Sequence, residues 1–505
     1  MRKRTGTGGA LIAAALAGGL LLTGCSAEGG AFGGAADSAR GKARADKPAA
    51  SVAPGRDRGD TEDYRSTFAL DVDTASYGYA RRTLAEGRLP DPGTVRPEEF
   101  VNSFRQNYPR PEGNGFSVTV DGARTGDDGW RLMRVGLATA PAPADGERRP
   151  AALTFVIDIS GSMAEAGRLD LVKKSLATLT DQLRADDSIA LVTFSDEART
   201  VLPMTRLGAA EDSARDRIHD AIDTLEPTDS TNLDAGIRTG YATAVEGVRT
   251  GATNRVVLLS DALANTGETS ADAILERIAD ARREHGITLF GVGVGSDYGD
   301  ELMERLADKG DGHTTYVSSP ADARKVFVRQ LPANVDLRAR DAKAQVAFDK
   351  DTVADFRLLG YENRRVADDD FRDDRVDGGE VGPGHTVTAL YAVKLREGAE
   401  GRVATATVRW LDPESRAPRE AAGTVAASAL AGDLWAGSTA PRLRLAATAA
   451  YFAHRLGGGS DAPFPGEPSL RELDDQTRKL VSDTEDADVR DLAESVRQAR
   501  DLSGL

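Results

Sequence analysis

The chain has 505 residues, 40% of them hydrophobic, with 80 acidic against 64 basic side chains and a net charge of −16. That length holds roughly two to four domains and at least one large core, and the acidic balance excludes nucleic acid as a partner while attracting divalent cations. A single cysteine, Cys25, excludes an intrachain disulfide and a cysteine-based zinc centre, so a noncovalent core must hold the fold.

Residues 1–24 read as an export signal. MRKR supplies a basic start, ALIAAALAGGLLL an apolar stretch too short and glycine-broken for a membrane span, and LTGC ends it at Cys25. This is a bacterial lipoprotein signal pattern, and an uncleaved anchor helix is the weaker reading. Cys25 is then the lipidated N-terminus, carrying palmitate-type chains at the extracytoplasmic face of the cell membrane. Cleavage removes three basic residues and no acidic one, deepening the charge from −16 to −19, which disfavours contact with an anionic lipid surface except through the lipid itself. Residues 25–60 are rich in Ala, Gly, Ser and charge and form a flexible tether.

Order is expected from Tyr64, in an N-terminal region spanning 61–150. STFALDVDTASYGYARRTLAEGRLP reads as a strand and a helix, Arg96-Pro97-Glu98-Glu99 starts a second helix, and FSVTVDGA and WRLMRVGLATA alternate as strands do. Over 151–331 buried strands and helices take turns. GRLDLVKKSLATLTDQL sets Leu169, Val172, Leu176, Leu179 and Leu183 on one helical face, followed by the strand SIALVTFS, an amphipathic stretch around 217–225, a helix through Ile237 and Tyr241, the strand RVVLLSDA, a helix over 271–284, and the strands ITLFGVGVG and HTTYV. This alternation predicts an α/β fold with a doubly wound, mostly parallel sheet, whose sites lie beyond the carboxyl ends of its strands. Residues 332–426 read as an antiparallel β-rich domain and 427–505 as a helical C-terminal region. Strands at 116–140 and 342–425 are expected to pair into one sandwich, which would make the α/β domain an insertion.

The apolar strand at Leu153–Ile157 ends in oxygens: Asp158, Ser160 and Ser162 recur at alternate positions, with Gly161 turning the chain between the serines. Such hard oxygen donors suit Mg²⁺, with Mn²⁺ or Ca²⁺ as alternatives. The bland alternative makes Ser160 and Ser162 caps of the helix starting near Arg168 and pairs Asp158 with an arginine.

With STNLDAGI and VVLLSD, the D-I-S-G-S stretch resembles the metal-ion-dependent adhesion site of the von Willebrand factor type A domain. The resemblance implies a metal set of Asp158, Ser160, Ser162, Thr231 and Asp261, with serines and threonine reaching the ion directly and one position open to a partner's carboxylate. Two residues depart from the family pattern: Ala262 stands where glycine is common, and Asp229 and Ser230 precede the threonine where small glycines are common. Asp229 is read as a cap of the following helix or as an added charge beside the metal. FALDVDTASYGYARR, RLLGYENR and GHTVTALY resemble the flanking segments of bacterial exported lipoproteins carrying this domain, some labelled calcium-activated chloride channel homologues, and the likeness covers 64–505. It implies a protein-binding module rather than a channel or an enzyme, with a protein partner offering an acidic side chain.

The competing readings are a metal-dependent hydrolase using Asp71 and Asp73, which resemble the D-x-D pair of haloacid dehalogenase phosphatases with the threonine one place early, and a scaffold with a vestigial metal site. GVGVGS lacks a nucleotide-loop spacing, G-x-S-x-G is absent, and His219, His285, His313, His385 and His454 are scattered. The acidic run ADDDFRDDRVDGGE, 367–380, reads as a solvated loop.

Overall fold

The computed structural model describes residues 64–504 except 127, 142–147, 209–212, 229, 262–269, 296–302, 304–305, 307–312, 318, 325, 328–336, 377 and 459–463. The signal segment, Cys25 and the tether lie outside the described residues. The chain begins with β1 (Arg65–Ala69), α1 (Ala75–Ala85), α2 (Pro97–Asn102), β2 (Phe116–Arg124) and β3 (Trp130–Thr139). The α/β segment follows as β4 (Ala151–Asp158), α3 (Leu169–Gln182), β5 (Ser188–Phe194), β6 (Ala198–Arg206), α4 (Ala214–Asp223), α5 (Leu233–Glu246), β7 (Thr253–Ser260), α6 (Ala271–His285), β8 (Thr288–Val294), β9 (His313–Val317) and α7 (Pro320–Arg324).

The sheet of this segment has the order β6-β5-β4-β7-β8-β9, with parallel pairing everywhere except the β5–β6 edge. Alternation along β4 explains why every one of its residues is apolar or buried. Leu153, Phe155 and Ile157 join a core with Leu169, Val172, Leu176 and Leu179 of α3, while Val156 joins Leu233, Ile237 and Tyr241 of α5 on the other face. The helical face expected for α3 is the buried one. β6 had no counterpart in the sequence reading: none of its residues is fully buried, its short apolar run is broken by Pro203, and it is an edge strand held by pairing to β5. Two glycines bring α5 close to the sheet. A Cβ on Gly240 would lie 2.2 Å from Val156 Cγ2 and one on Gly236 2.6 Å from the Phe194 ring.

Beyond the α/β segment come β10 (Ala339–Phe348), β11 (Val353–Leu359), β12 (Gly379–Val381), β13 (Thr386–Leu395), β14 (Arg402–Leu411) and β15 (Pro418–Ala426). They build two antiparallel sheets with the earliest strands, one ordered β1-β10-β14-β15 with β12 on β10, the other β11-β13-β3-β2. Phe68, Met133, Val135, Val346, Tyr391 and Val408 fill the space between them. β3 precedes the α/β segment and β13 follows it, yet they pair from Ala138↔Thr386 to Trp130↔Lys394. The flanking strands therefore form one sandwich into which the α/β segment is inserted. At the entrance, Gly384 N donates to Ala140 O at 2.9 Å; the second linker, expected at 331–335, lies outside the described residues. The C-terminal helices α8 (Pro441–Leu456), α9 (Leu470–Thr484) and α10 (Ala487–Leu502) share a core with α1, α2 and the outer face of β3 and β13, through Phe100, Leu132, Leu390, Phe452 and Leu473. A capping box between Ser469 and Glu472 starts α9.

Buried charge joins the α/β segment to the sandwich. Arg255, at the start of β7, pairs with Glu380 of β12 at 3.1 Å, and both are buried. Asp73 accepts from Thr314 N at 3.0 Å and Thr314 Oγ1 at 2.9 Å on β9, while Arg364 lies 3.4 Å from Asp73 and 3.5 Å from Asp71. His313 and His385 meet edge to face nearby with ring centroids 6.4 Å apart, and burial holds both below the usual histidine range, His385 at about 4. The acidic run 367–380 is consequently more than a solvated loop. Its first part winds into a 3₁₀ turn that buries Phe371, Asp368 accepts from Thr67, Asp374 pairs with Arg409, and Glu380 ends in this seam.

Removing one partner of the buried Arg255 and Glu380 pair leaves an uncompensated charge. Glu380→Ala should destabilise the protein by about 3–5 kcal/mol in urea unfolding, and the apolar double replacement Arg255→Met with Glu380→Leu should lose much less. A Glu380→Ala midpoint equal to wild type would contradict the pairing.

Candidate metal centre at the strand ends

Asp158, Ser160, Ser162, Thr231 and Asp261 gather at the carboxyl edge of the sheet. β4 and β7 run parallel with Ile157 opposite Leu259, so the next step of the register sets Asp158 beside Ser260. Ser260 Oγ donates to Asp158 Oδ2 at 2.5 Å, and Ser160 N donates to Asp158 Oδ1 at 2.8 Å. After Asp158 the chain enters a 3₁₀ turn, Gly161–Ala164, in which the Ser160 and Ser162 hydroxyls are 3.1 Å apart. Asp261, directly after β7, is fully buried. The loop before α5 is stitched to the same edge: Thr228 N donates to Ile159 O and Asn232 N to Ser195 O, each at 2.6 Å, and buried Thr231 lies between these ties.

The serines do not cap α3, whose N-cap Arg168 has no side-chain cap bond. An arginine does enter the site, but on the other aspartate: Arg168 Nη1 donates to Asp261 Oδ2 at 2.8 Å and to Ser162 O at 3.0 Å. The N-cap of α5 is Asn232, whose side chain accepts from Ala235 N; Asp229 and Ala262 lie outside the described residues. Arg168 and Ser260 were not singled out from the sequence. Strand register would have found Ser260, one residue before Asp261, whereas nothing local marks an arginine six residues past Ser162.

The donor set is chemically suited to a hard divalent cation. It is all oxygen, and the 3.1 Å separation of two hydroxyls is close to the roughly 3 Å edge between neighbouring ligands of an octahedral ion bound at about 2.1 Å. Among the described residues no three His, Cys, Asp or Glu side chains converge, so hydroxyls and waters would have to complete any shell here. The carboxyl of Asp158 is pushed up to about 6, chiefly by burial with the Asp261 charge adding to it, against the hydrogen bonds from Ser160 and Ser260 that favour the anion. Negative charge is thus concentrated where water is excluded, a field that a cation would relieve. Asp71 and Asp73 belong to the opposite edge of the sheet, buried in the charged seam with the sandwich.

The model of the von Willebrand factor type A domain matches residues 152–329, that of "Uncharacterized protein YfbK, C-terminal" matches 337–500, and that of "von Willebrand factor" matches 56–131. Uncharacterized protein YfbK of Escherichia coli (strain K12) is 36% identical over 342 residues, covering 65% of this chain and 58% of the relative. Inter-alpha-trypsin inhibitor heavy chain H3 of Pongo abelii is 23% identical over 321 residues, covering 59% of this chain and 36% of the relative. The chain thus spans about half the length of these curated relatives. Among solved structures, von Willebrand factor type A from Catenulispora acidiphila aligns over 78% of this chain and 91% of its own, at 15% identity and a TM-score of 0.46.

Because Asp158 holds a proton more tightly when folded than its ordinary value of 3.8 allows when unfolded, its contribution to stability is fully present below about pH 4 and is lost as pH rises through about 6. In chelator-treated protein Asp158→Asn, which keeps the shape and removes the charge, should raise stability at pH 7.5 by roughly 1–3 kcal/mol and change little at pH 4. Thermal unfolding at the two pH values reads this out, and equal wild-type and variant midpoints at pH 7.5 would contradict it. Residues 152–329 thus form a von Willebrand factor type A domain, and residues 337–500 are similar to the C-terminal region of YfbK.

Proposed function

We propose that this protein is a lipid-anchored, extracytoplasmic binding module that grips a protein partner's carboxylate through a divalent cation, magnesium foremost, held by Asp158, Ser160, Ser162, Thr231 and Asp261. The observation carrying this reading is the pair of serine hydroxyls 3.1 Å apart beside a buried aspartate at the sheet's carboxyl edge. When bound, the cation would offer an open Lewis-acid position to the partner's acidic side chain. This chain's residues supply the rest. Asp158 and Asp261 provide the balancing charge, the hydroxyls leave the ion electrophilic because they are neutral, and Ser260 fixes the orientation of Asp158. The hydrolase alternative loses support because Asp71 and Asp73 are buried and bonded to Thr314 or facing Arg364, a joining role rather than that of an exposed nucleophile.

Calorimetric titration of magnesium and manganese into the chelator-stripped full chain should give one saturable site that disappears in Asp158→Ala and weakens at least tenfold in Ser160→Ala. No binding to wild type, or binding untouched in both variants, would leave only the scaffold reading. For the anchor, Cys25→Ser should move the protein from the membrane fraction to the soluble fraction of its host and abolish labelling by radioactive palmitate; membrane retention of the variant would refute lipidation at Cys25.

A further inference from the structure

Arg168 is an unusual neighbour for a cation site. Its side chain is 2% exposed and lies against Asp261, which is 0% exposed. The guanidinium bridges two segments: Nη1 reaches Asp261 Oδ2 at the end of β7 and Ser162 O in the turn after β4, and Nη2 lies 2.8 Å from Glu165 Oε2 at the end of that turn. Room for it is made at the end of β8 by Gly295, which has φ +96°. A Cβ there would stand 2.6 Å from Arg168 Nε and 3.0 Å from Cδ. The arginine is therefore seated by a shaped niche. Glu165 is 65% exposed and its charge is largely screened by water, so among the described residues the charges that count in the buried volume are Asp158, Asp261 and Arg168.

We infer that Arg168 is a built-in counter-cation, a positioning and specificity-determining residue that weakens the hold on the divalent ion alone and favours the ion together with an acidic ligand. The inference rests on the proposed metal-bridged function and deepens it. The three buried side chains together carry one negative charge when Asp158 is ionised. A divalent ion turns that into one positive charge, and a ligand carboxylate then brings it to zero. Without Arg168 the ion alone would neutralise the two aspartates, and an arriving carboxylate would leave a buried excess of negative charge. The guanidinium thus weakens retention of the ion by itself, and by attracting the carboxylate it lets that ligand occupy the loaded site at concentrations where it would otherwise stay free. By linkage the bound carboxylate then tightens the ion by the same factor by which the ion tightens the carboxylate. An acidic partner is selected over a neutral one by this balance.

The test is magnesium calorimetry on the full chain with and without acetate as the carboxylate probe, for wild type, Arg168→Gln and Arg168→Lys, with folding checked by circular dichroism. In wild type, acetate should tighten magnesium binding. Arg168→Gln should bind magnesium alone about tenfold more tightly and lose most of the acetate effect, whereas Arg168→Lys, which keeps the charge without the fork, should stay near wild type in both. If Gln fails to fold, the Lys variant still decides: loss of the acetate effect there overturns the inference. Equal weakening of magnesium binding in both variants would mean that Arg168 merely holds Asp261 in place. Unchanged binding in Arg168→Gln would sink this inference alone. A wild type that takes no magnesium with or without acetate would sink it together with the reading beneath it.

Discussion

The pairing of β3 with β13 is the constraint on which the rest of the molecule depends. It joins strands from before and after the α/β segment in one ladder, closes one sheet of the sandwich, and provides the face on which the terminal helices pack. The entrance of the inserted sheet is thereby tied to a rigid base, since Thr139 and Ala140 hydrogen-bond to Gly382, His385 and Gly384 at the end of the same ladder. The seam of Arg255, Glu380, Asp73 and Thr314 then fixes the sheet's amino edge, leaving the carboxyl edge as the end that faces away from the sandwich.

Buried charge is accordingly found at both edges of one sheet, with different consequences. At the base it is matched, acid to arginine or acid to backbone, and the two histidines are held neutral by burial rather than poised to titrate near pH 7. At the top, among the described residues, it is unbalanced by one carboxylate, and the proton affinity of Asp158 is raised chiefly by burial, with the Asp261 charge adding to it. A charge-matched cluster fastens one element to another; one with excess charge has a reason to recruit a ligand.

Much of this was legible locally. Fully buried parallel strands show themselves as apolar runs, and α3 displays its buried face at helical spacing, because burial on a regular element imposes a period on the chain. The D-x-S-x-S element could be placed because a strand's end is visible where its apolar run stops. What escaped was set by distance or by exposure. β6 is mostly solvated and owes its existence to β5. Glu380 sits in an acidic stretch that looks like any solvated loop until Arg255, 125 positions earlier, meets it. Arg168 is one arginine among many until Asp261, 93 positions later, turns toward it. Asp73 resembled half of a catalytic pair because its true partner, Thr314, lies 241 positions away.

The inserted topology also dictates an order of events as the chain emerges. β2 and β3 are made early, yet the inner partner of β3 is separated from it by the whole α/β segment. The α/β sheet can complete its own ladders from contiguous sequence while this hairpin waits with one edge open. The chain must therefore protect that edge until β13 arrives, and its slow step should be closure of the sandwich rather than assembly of the sheet that carries the site.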